Sequence, residues 1–148
     1  MRTVSRHEEK FIISVATAEM LKSRFRAILR PDPNAGADGS YFIRSVYFDD
    51  ISHSAYHEKL YGVKERTKYR LRYYNFDTSR IYLEKKMKNG SLTGKDSAFV
   101  SQEEAEALLY GGDTTVAAGN ALLEDFARAR RGSMHPVCIV DYDRFAYT

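Results

Sequence analysis

Residues 66–74 read RTKYRLRYY and residues 80–88 read RIYLEKKMK. In a β-strand alternate side chains share a face. As strands, the first places Arg66, Lys68, Arg70, Arg72 and Tyr74 on one side and Thr67, Tyr69, Leu71 and Tyr73 on the other. The second places Arg80, Tyr82, Glu84, Lys86 and Lys88 together, against Ile81, Leu83 and Met87 with Lys85. Each stretch therefore has a basic face and a face suited to packing. Residues 75–79 join them, so the pair reads as a hairpin in a sheet covered on one side only.

Working outward, residues 6–14 (RHEEKFIIS) predict a first strand, whose even face adds Arg6, Glu8 and Lys10. Residues 17–29 carry Met20, Leu21, Phe25 and Ile28 at helical spacing and stop at Arg30-Pro31. Residues 41–49 (YFIRSVYFD) are β-branched and aromatic, a further strand; 52–61 fit a short helix or a turn. Asn89-Gly90 is a turn signal, followed by a Ser/Thr/Gly/Lys stretch over 91–98 that reads as a mobile loop. Ser101 with Glu104 three residues on forms a capping box opening a helix to Tyr110, closed by Gly111-Gly112. A second helix, 120–131, ends at Gly132, with Arg128, Arg130 and Arg131 complementing its dipole. Residues 136–147 (PVCIVDYDRFAY) form a last strand that runs almost to Thr148, with nothing to pair its far edge. The fold class is α+β: a mainly antiparallel sheet with helices grouped between the strands and packed outside it.

The chain has 148 residues and a formal charge of +3, which suits one domain over 1–148. That small charge hides a division: residues 58–95 hold eleven Lys and Arg against four Asp and Glu, net +7, while the remainder sums to −4. Such a concentration predicts an anionic partner. With 43% hydrophobic residues the chain can build a core, so disorder is excluded. No apolar run approaches the ~20 residues of a membrane span, and residues 1–10 lack the apolar stretch of a signal peptide. One cysteine, Cys138, permits no internal disulfide and predicts a reducing, cytoplasmic setting. On an apolar strand it reads as a small buried hydrophobe. The histidines, His7, His53, His57 and His135, make no zinc pattern.

Neighbouring cations repel, so a sheet face carrying many of them is destabilising unless water or an anion compensates. A solvated outer face is one reading. The other is a groove or tunnel in which Arg grips phosphate oxygens bidentately and Lys supplies mobile point charges. Interspersed carboxylates would then hold a divalent cation on those phosphates. Nucleic acid is the rival ligand, but Tyr69, Leu71 and Tyr73 lie opposite the cations, whereas a single-strand platform wants both on one face. Recognition helices, zinc patterns and Gly-rich phosphate loops are missing from the sequence, so no nucleic acid is expected.

Five short segments occur in a telling order: Arg6-His-Glu8-Glu-Lys10-Phe, Tyr47-Phe48-Asp49, Lys68-Tyr-Arg70-Leu-Arg72-Tyr, Leu83-Glu84-Lys-Lys86-Met-Lys88, and Tyr142-Asp-Arg144-Phe-Ala-Tyr147. The succession resembles the VTC (vacuolar transporter chaperone) polyphosphate polymerase domain, within the triphosphate tunnel metalloenzyme superfamily related to CYTH proteins. The resemblance implies an antiparallel tunnel barrel and a metal-dependent phosphotransferase. It would bind ATP with Mn²⁺ or Mg²⁺ and pass the terminal phosphoryl group to growing polyphosphate. Carried over by position, Lys10, Arg70, Arg72, Lys86 and Arg144 grip the phosphates, with Arg70, Arg72 and Lys86 at the reacting group. Lys95 matches an additional phosphate-binding lysine, and Lys68 and Lys88 extend the track. Glu8 and Glu84 are the candidate metal carboxylates.

The sequence departs from that pattern in places. Arg6-x-Glu8-x-Lys10 stands where the superfamily has Glu-x-Glu-x-Lys, which removes one carboxylate, and Asp96-Ser97 follows Lys95 where a further basic residue is usual. The family continues past the Tyr142–Tyr147 strand into strands carrying its main metal-binding Glu and another Lys, both of which would lie beyond Thr148. The resemblance thus implies a domain lacking its C-terminal strands, active in a longer parent and weak or inactive alone. Glu84 serves equally well as a salt-bridge partner for its basic neighbours. Tyr47 and Phe48 read as core and Asp49 as a turn cap. The alternatives are an inorganic triphosphatase of the same superfamily and a non-catalytic polyphosphate-binding module. The expected location is cytoplasmic, including the cytosolic face of a membrane reached through a membrane-protein partner.

Overall fold

A computed structural model of the chain describes residues 6–111, 120–131 and 133–148. The elements run β1 (Arg6–His7), α1 (Val15–Ile28), β2 (Ser40–Asp49), α2 (Ser54–Leu60), β3 (Glu65–Tyr74), β4 (Ile81–Asn89), β5 (Leu92–Val100), α3 (Gln102–Tyr110), α4 (Ala121–Arg131) and β6 (His135–Phe145). The strands form one sheet in the order β1-β5-β4-β3-β2-β6, every pairing antiparallel. Among the described residues no pairing joins β1 to β6, so the sheet is open, consistent with part of a tunnel fold. This is the α+β architecture expected.

The apolar alternates of the hairpin face the helices. Phe48, Tyr69, Leu71, Ile81, Leu83 and Val100 from the sheet meet Ala105 and Leu108 of α3 and Leu122, Leu123 and Phe126 of α4 in one buried cluster. Full burial of each large side chain there stabilises the fold by roughly 1.5–3 kcal/mol. Lys85, the odd cation on this face, reaches α4: its Nζ and the Tyr69 hydroxyl both donate to Asp125 Oδ2 at 2.6 Å. One carboxylate therefore fastens the helix to two neighbouring strands. The capping box of α3 is present, with Ser101 Oγ accepting from the Glu104 N–H and Glu104 Oε2 from the Ser101 N–H. Asp49 caps as expected: its carboxylate accepts from the N–H groups of Ala55 and Tyr56 at the start of α2. The Gly112 and Gly132 stops and the Arg130 and Arg131 side chains lie outside the described residues.

Four expectations fail. The first strand does not run over 6–14: β1 keeps two residues, pairing Arg6 with Thr93 and His7 with Leu92. Phe11, Ile12 and Ile13 are exposed beyond it, because no element among the described residues covers that edge. Residues 91–98 are not a mobile loop. Asn89 pairs with Leu92 across a tight Gly90-Ser91 turn, Gly90 sits at φ +59°, and β5 follows in register along all of β4. Weak strand formers are held there by the turn and by a paired neighbour. Cys138 is exposed rather than buried, since β6 is an edge strand, paired only with β2 among the described residues.

The last strand also ends earlier than expected, at Phe145, and the residues after it are not left unpaired. Thr148 and Arg30 exchange backbone hydrogen bonds: the Arg30 N–H donates to the Thr148 carbonyl at 3.0 Å, and the Thr148 N–H to the Arg30 carbonyl at 2.9 Å. Pro31 bridges Tyr147 beside them. The segment that stops α1 thus supplies partners for residues 146–148, because Pro31 and Pro33 hold it extended after the helix.

Candidate phosphate-binding face

The side of the sheet away from α3 and α4 collects the cations in rows across the strands. Lys68, Lys86 and Lys95 are successive Cα partners on β3, β4 and β5, and Arg66, Lys88 and Thr93 form the next row. On the other side of the lysine row come Tyr47, Arg70, Glu84 and Ser97, then Ser45, Arg72, Tyr82 and Phe99. Antiparallel pairing thus turns a ladder along one strand into a two-dimensional cationic array, with strands about 4.8 Å apart.

Glu84 stands at its centre, 2% exposed. Its Oε2 accepts from Arg70 Nε at 2.8 Å and lies 2.7 Å from Arg70 Nη2 and 3.7 Å from Arg72 Nη1, while Oε1 accepts from Lys95 Nζ at 2.9 Å. Burial alone would raise the Glu84 pKa. The Arg70 charge, the Lys95 hydrogen bond and the Arg72 charge together hold it below the usual value, so the carboxylate is ionised. Burial likewise opposes the Arg70 charge, but Glu84 and the Tyr47 hydroxyl outweigh it and raise that pKa. Three cations around one anion leave this buried group with a local surplus of two positive charges.

Hydroxyls fix the guanidinium planes. Arg70 Nη1 donates to Tyr47 Oη at 2.8 Å; Arg72 Nε donates to the buried Ser45 Oγ at 3.0 Å and Nη2 to Tyr142 Oη at 3.1 Å. Arg144 Nη2 also donates to Tyr142 Oη, at 3.3 Å. An arginine has five N–H donors, so Arg70 retains two beyond the three engaged, oriented without loss of its ion pair. Charges are in place and geometry is locked by packing, the preorganisation that an anion site requires.

Arg70, Arg72, Lys86, Lys95, Lys68 and Lys88 share this face, and Arg144 joins it through β6. Lys95 sits on a strand opposite Lys86 rather than in a loop. Lys10 lies beyond β1, highly exposed, 3.7 Å from Glu8, whose Oε2 accepts from Lys86 Nζ at 2.9 Å. Lys68 and Lys88 have no ion-pair partner among the described residues. The Arg6 side chain lies outside the described residues.

Glu8 and Glu84 each accept a hydrogen bond from a lysine, Lys86 and Lys95 respectively. Both carboxylates are committed to cations, and among the described residues no group of three or more His, Cys, Asp or Glu could hold an ion. Thr148 is tied to Arg30, after α1, through its backbone.

Ser45, Tyr47 and Tyr142 were missed as site residues. The available signal was alternation in 41–49, where Tyr41, Ile43, Ser45 and Tyr47 share one face. Phe48 points the other way, into the core as expected. Aromatic rings therefore do accompany the cations, contributed by neighbouring strands. Several are already turned to arginine: Arg70 lies 5.6 Å from the Tyr47 ring centroid and Arg72 6.0 Å from that of Tyr74.

No curated protein matches the chain closely enough to count as a relative. The VTC domain, a family tied to polyphosphate synthesis, matches residues 5–148. With its ordered basic segments brought together on one sheet face, the chain belongs to the VTC domain family.

Proposed function

We propose that the cationic face binds linear phosphate chains as one wall of a tunnel and serves a phosphotransferase that extends polyphosphate from ATP. The observation that carries this reading is the Arg70–Glu84–Lys95 cluster with Arg72. It holds a buried excess of positive charge, guanidiniums locked by hydroxyls, and a lysine row beside it. In the reaction a terminal oxygen of polyphosphate attacks the γ-phosphorus of ATP. The bond from that phosphorus to the β–γ bridging oxygen breaks, and its electron pair leaves with ADP. Little covalent chemistry is asked of the protein; alignment and neutralisation of charge on the moving group suffice. Arg70, Arg72 and Lys86 take that role, and Lys10, Lys68, Lys88, Lys95 and Arg144 hold the rest of the chain. Mn²⁺ or Mg²⁺ would enter with the donor's phosphates.

No helix among the described residues is long and apolar enough to cross a membrane. Residence in the cytoplasm, or at the cytosolic face of a membrane through a membrane-protein partner, forms part of the proposal.

Incubating the full-length protein with ATP and Mn²⁺ and resolving the products on a polyphosphate gel tests the reading. Long-chain polyphosphate is expected. Orthophosphate alone would replace it with a triphosphatase, and phosphate-chain binding without turnover with a binding module.

A further inference from the structure

Beside Glu84 and Lys95 the sheet face opens into a cavity of about 520 Å³, within the ordinary range for small-molecule sites. Its character changes along its length. The inner end carries Lys95 and Glu84, continuous with the cationic array. The outer end carries Tyr82, Asn75, Arg80 and two carboxylates, Asp32 and Asp77. Those carboxylates are fixed by their own loops. Asp77 Oδ1 accepts from the Ser79 N–H and hydroxyl, and Asp32 Oδ1 from the Asn34 N–H and side-chain amide. Each keeps its second oxygen for a ligand donor. Asn75 Oδ1 accepts from the Phe42 N–H, which leaves its amide hydrogens for a ligand acceptor. The half-buried Tyr82 meets Phe99 edge-on, an arrangement that braces the ring and leaves a face for stacking.

A bare phosphate chain gains little from this outer end, because the two carboxylates outnumber the one cation there, Arg80, and the chain has no π-face or hydroxyl donors to offer. We infer that the cavity is a nucleoside subsite: Tyr82 stacks the base, Asp77 and Asp32 accept from sugar hydroxyls, Asn75 meets an acceptor, and the attached phosphates point past Lys95. Carboxylates are effective partners for a ribose diol, and stacking on an aromatic ring tolerates any base. The inference rests on the proposed function and adds a direction. The donor enters at the Tyr82 end, and the phosphate product occupies the Lys68, Lys86 and Lys88 end.

Calorimetric titration of the full chain with ATP and, separately, with inorganic tripolyphosphate tests this. Tyr82→Leu is expected to weaken ATP binding about tenfold while leaving tripolyphosphate within about twofold. Asp77→Asn, which keeps the turn acceptor, should move ATP alone in the same direction. Equal losses for both ligands, or none for ATP, would overturn the subsite and leave the anion array intact. Failure of the wild-type chain to bind tripolyphosphate would instead remove the proposed function, and the subsite with it. Should Tyr82→Leu fail to fold, photolabelling of wild type with azido-ATP decides. Adducts confined to peptides containing Asn75, Asp77 or Tyr82 support the subsite, and adducts elsewhere refute it.

Discussion

Arg70 and Glu84 face one another across β3 and β4 as direct Cα partners, and Arg70 Nη2 lies 2.7 Å from Glu84 Oε2. A carboxylate in that position is a resident counter-ion. It lets the fold bury two guanidiniums without a ligand, yet leaves the surplus charge that attracts one.

Removing that counter-ion separates its two roles. Glu84→Gln leaves Arg70, Arg72 and Lys95 mutually exposed in a mostly buried place. Breaking such a pair costs about 3 kcal/mol, a fall in Tm of about 6–12 °C for a chain of this size. Lys95, 49% exposed, moderates the loss by swinging to water. Added tripolyphosphate should restore most of the melting temperature, measured by calorimetry. A variant that melts higher than wild type without ligand would refute the counter-ion account.

The arginines and the outer lysines should differ in kind. Arg70→Lys or Arg72→Lys keeps the charge but loses the planar fork, and tripolyphosphate affinity should drop about tenfold or more. Lys68→Ala and Lys88→Ala should cost about two- to threefold, an effect erased near 1 M salt, where the screening length is about 3 Å. Titrations at low and high salt distinguish the two groups. Uniform salt sensitivity across all four positions would contradict the buried cluster.

Acid should loosen the helical layer. Burial pushes the Asp125 pKa up, but hydrogen bonds from Lys85 and Tyr69 overcome it and hold it below the usual aspartate value. A carboxylate lowered on folding stabilises the protein fully above its unfolded pKa, and that contribution is lost as pH falls through the lower folded value. Glu84 acts with the same sign. Urea midpoints should therefore fall steeply below about pH 4, and Asp125→Asn should flatten that slope while lowering the midpoint at neutral pH. An unchanged slope would show that Asp125 carries no such linkage.

The Gly90 turn sets the register that brings Lys95 to the array. Gly90 has a left-handed backbone with no atom near its missing Cβ, so Gly90→Ala adds only conformational strain, about 1 kcal/mol, or about 2–4 °C in Tm. Inserting one residue after Gly90 should do more, because a one-residue slip turns Lys95 toward the helix side. Tripolyphosphate binding would then fall as it does in Lys95→Ala.

The hairpin, α3 and the body of the last strand were legible because alternation, a capping box and a β-branched run each left a local mark. Strand β5 was not, since Gly94, Lys95 and Asp96 have little preference for extended structure, and pairing with β4 supplies what the residues lack. The N-terminal segment failed the opposite way: Phe11, Ile12 and Ile13 have strand character without a neighbour to pair with. The pairing of Thr148 with Arg30 joins residues too far apart in sequence for any local pattern to announce it. Within the site, the basic residues of 66–74 and 80–88 could be read from spacing alone, whereas Lys95 and Arg144 came only through the resemblance. Tyr47 and Ser45 were obscured because 41–49 has apolar and aromatic residues on both faces, and Tyr142 because it meets Arg72 only across the intervening β2. Only the pairing of Tyr47 with Arg70 decides which face looks at the cations.

The chain contains eleven tyrosines and no tryptophan, and the Tyr47 and Tyr142 hydroxyls accept hydrogen bonds from the arginines that would grip phosphate. The protein thereby carries its own optical reporter. With no indole band to mask them, those two phenols should register ligand arrival as a change in near-ultraviolet absorbance and circular dichroism. Tyr47→Phe and Tyr142→Phe would each dim one component, allowing the occupancy of Arg70 to be followed separately from that of Arg72 without any attached dye.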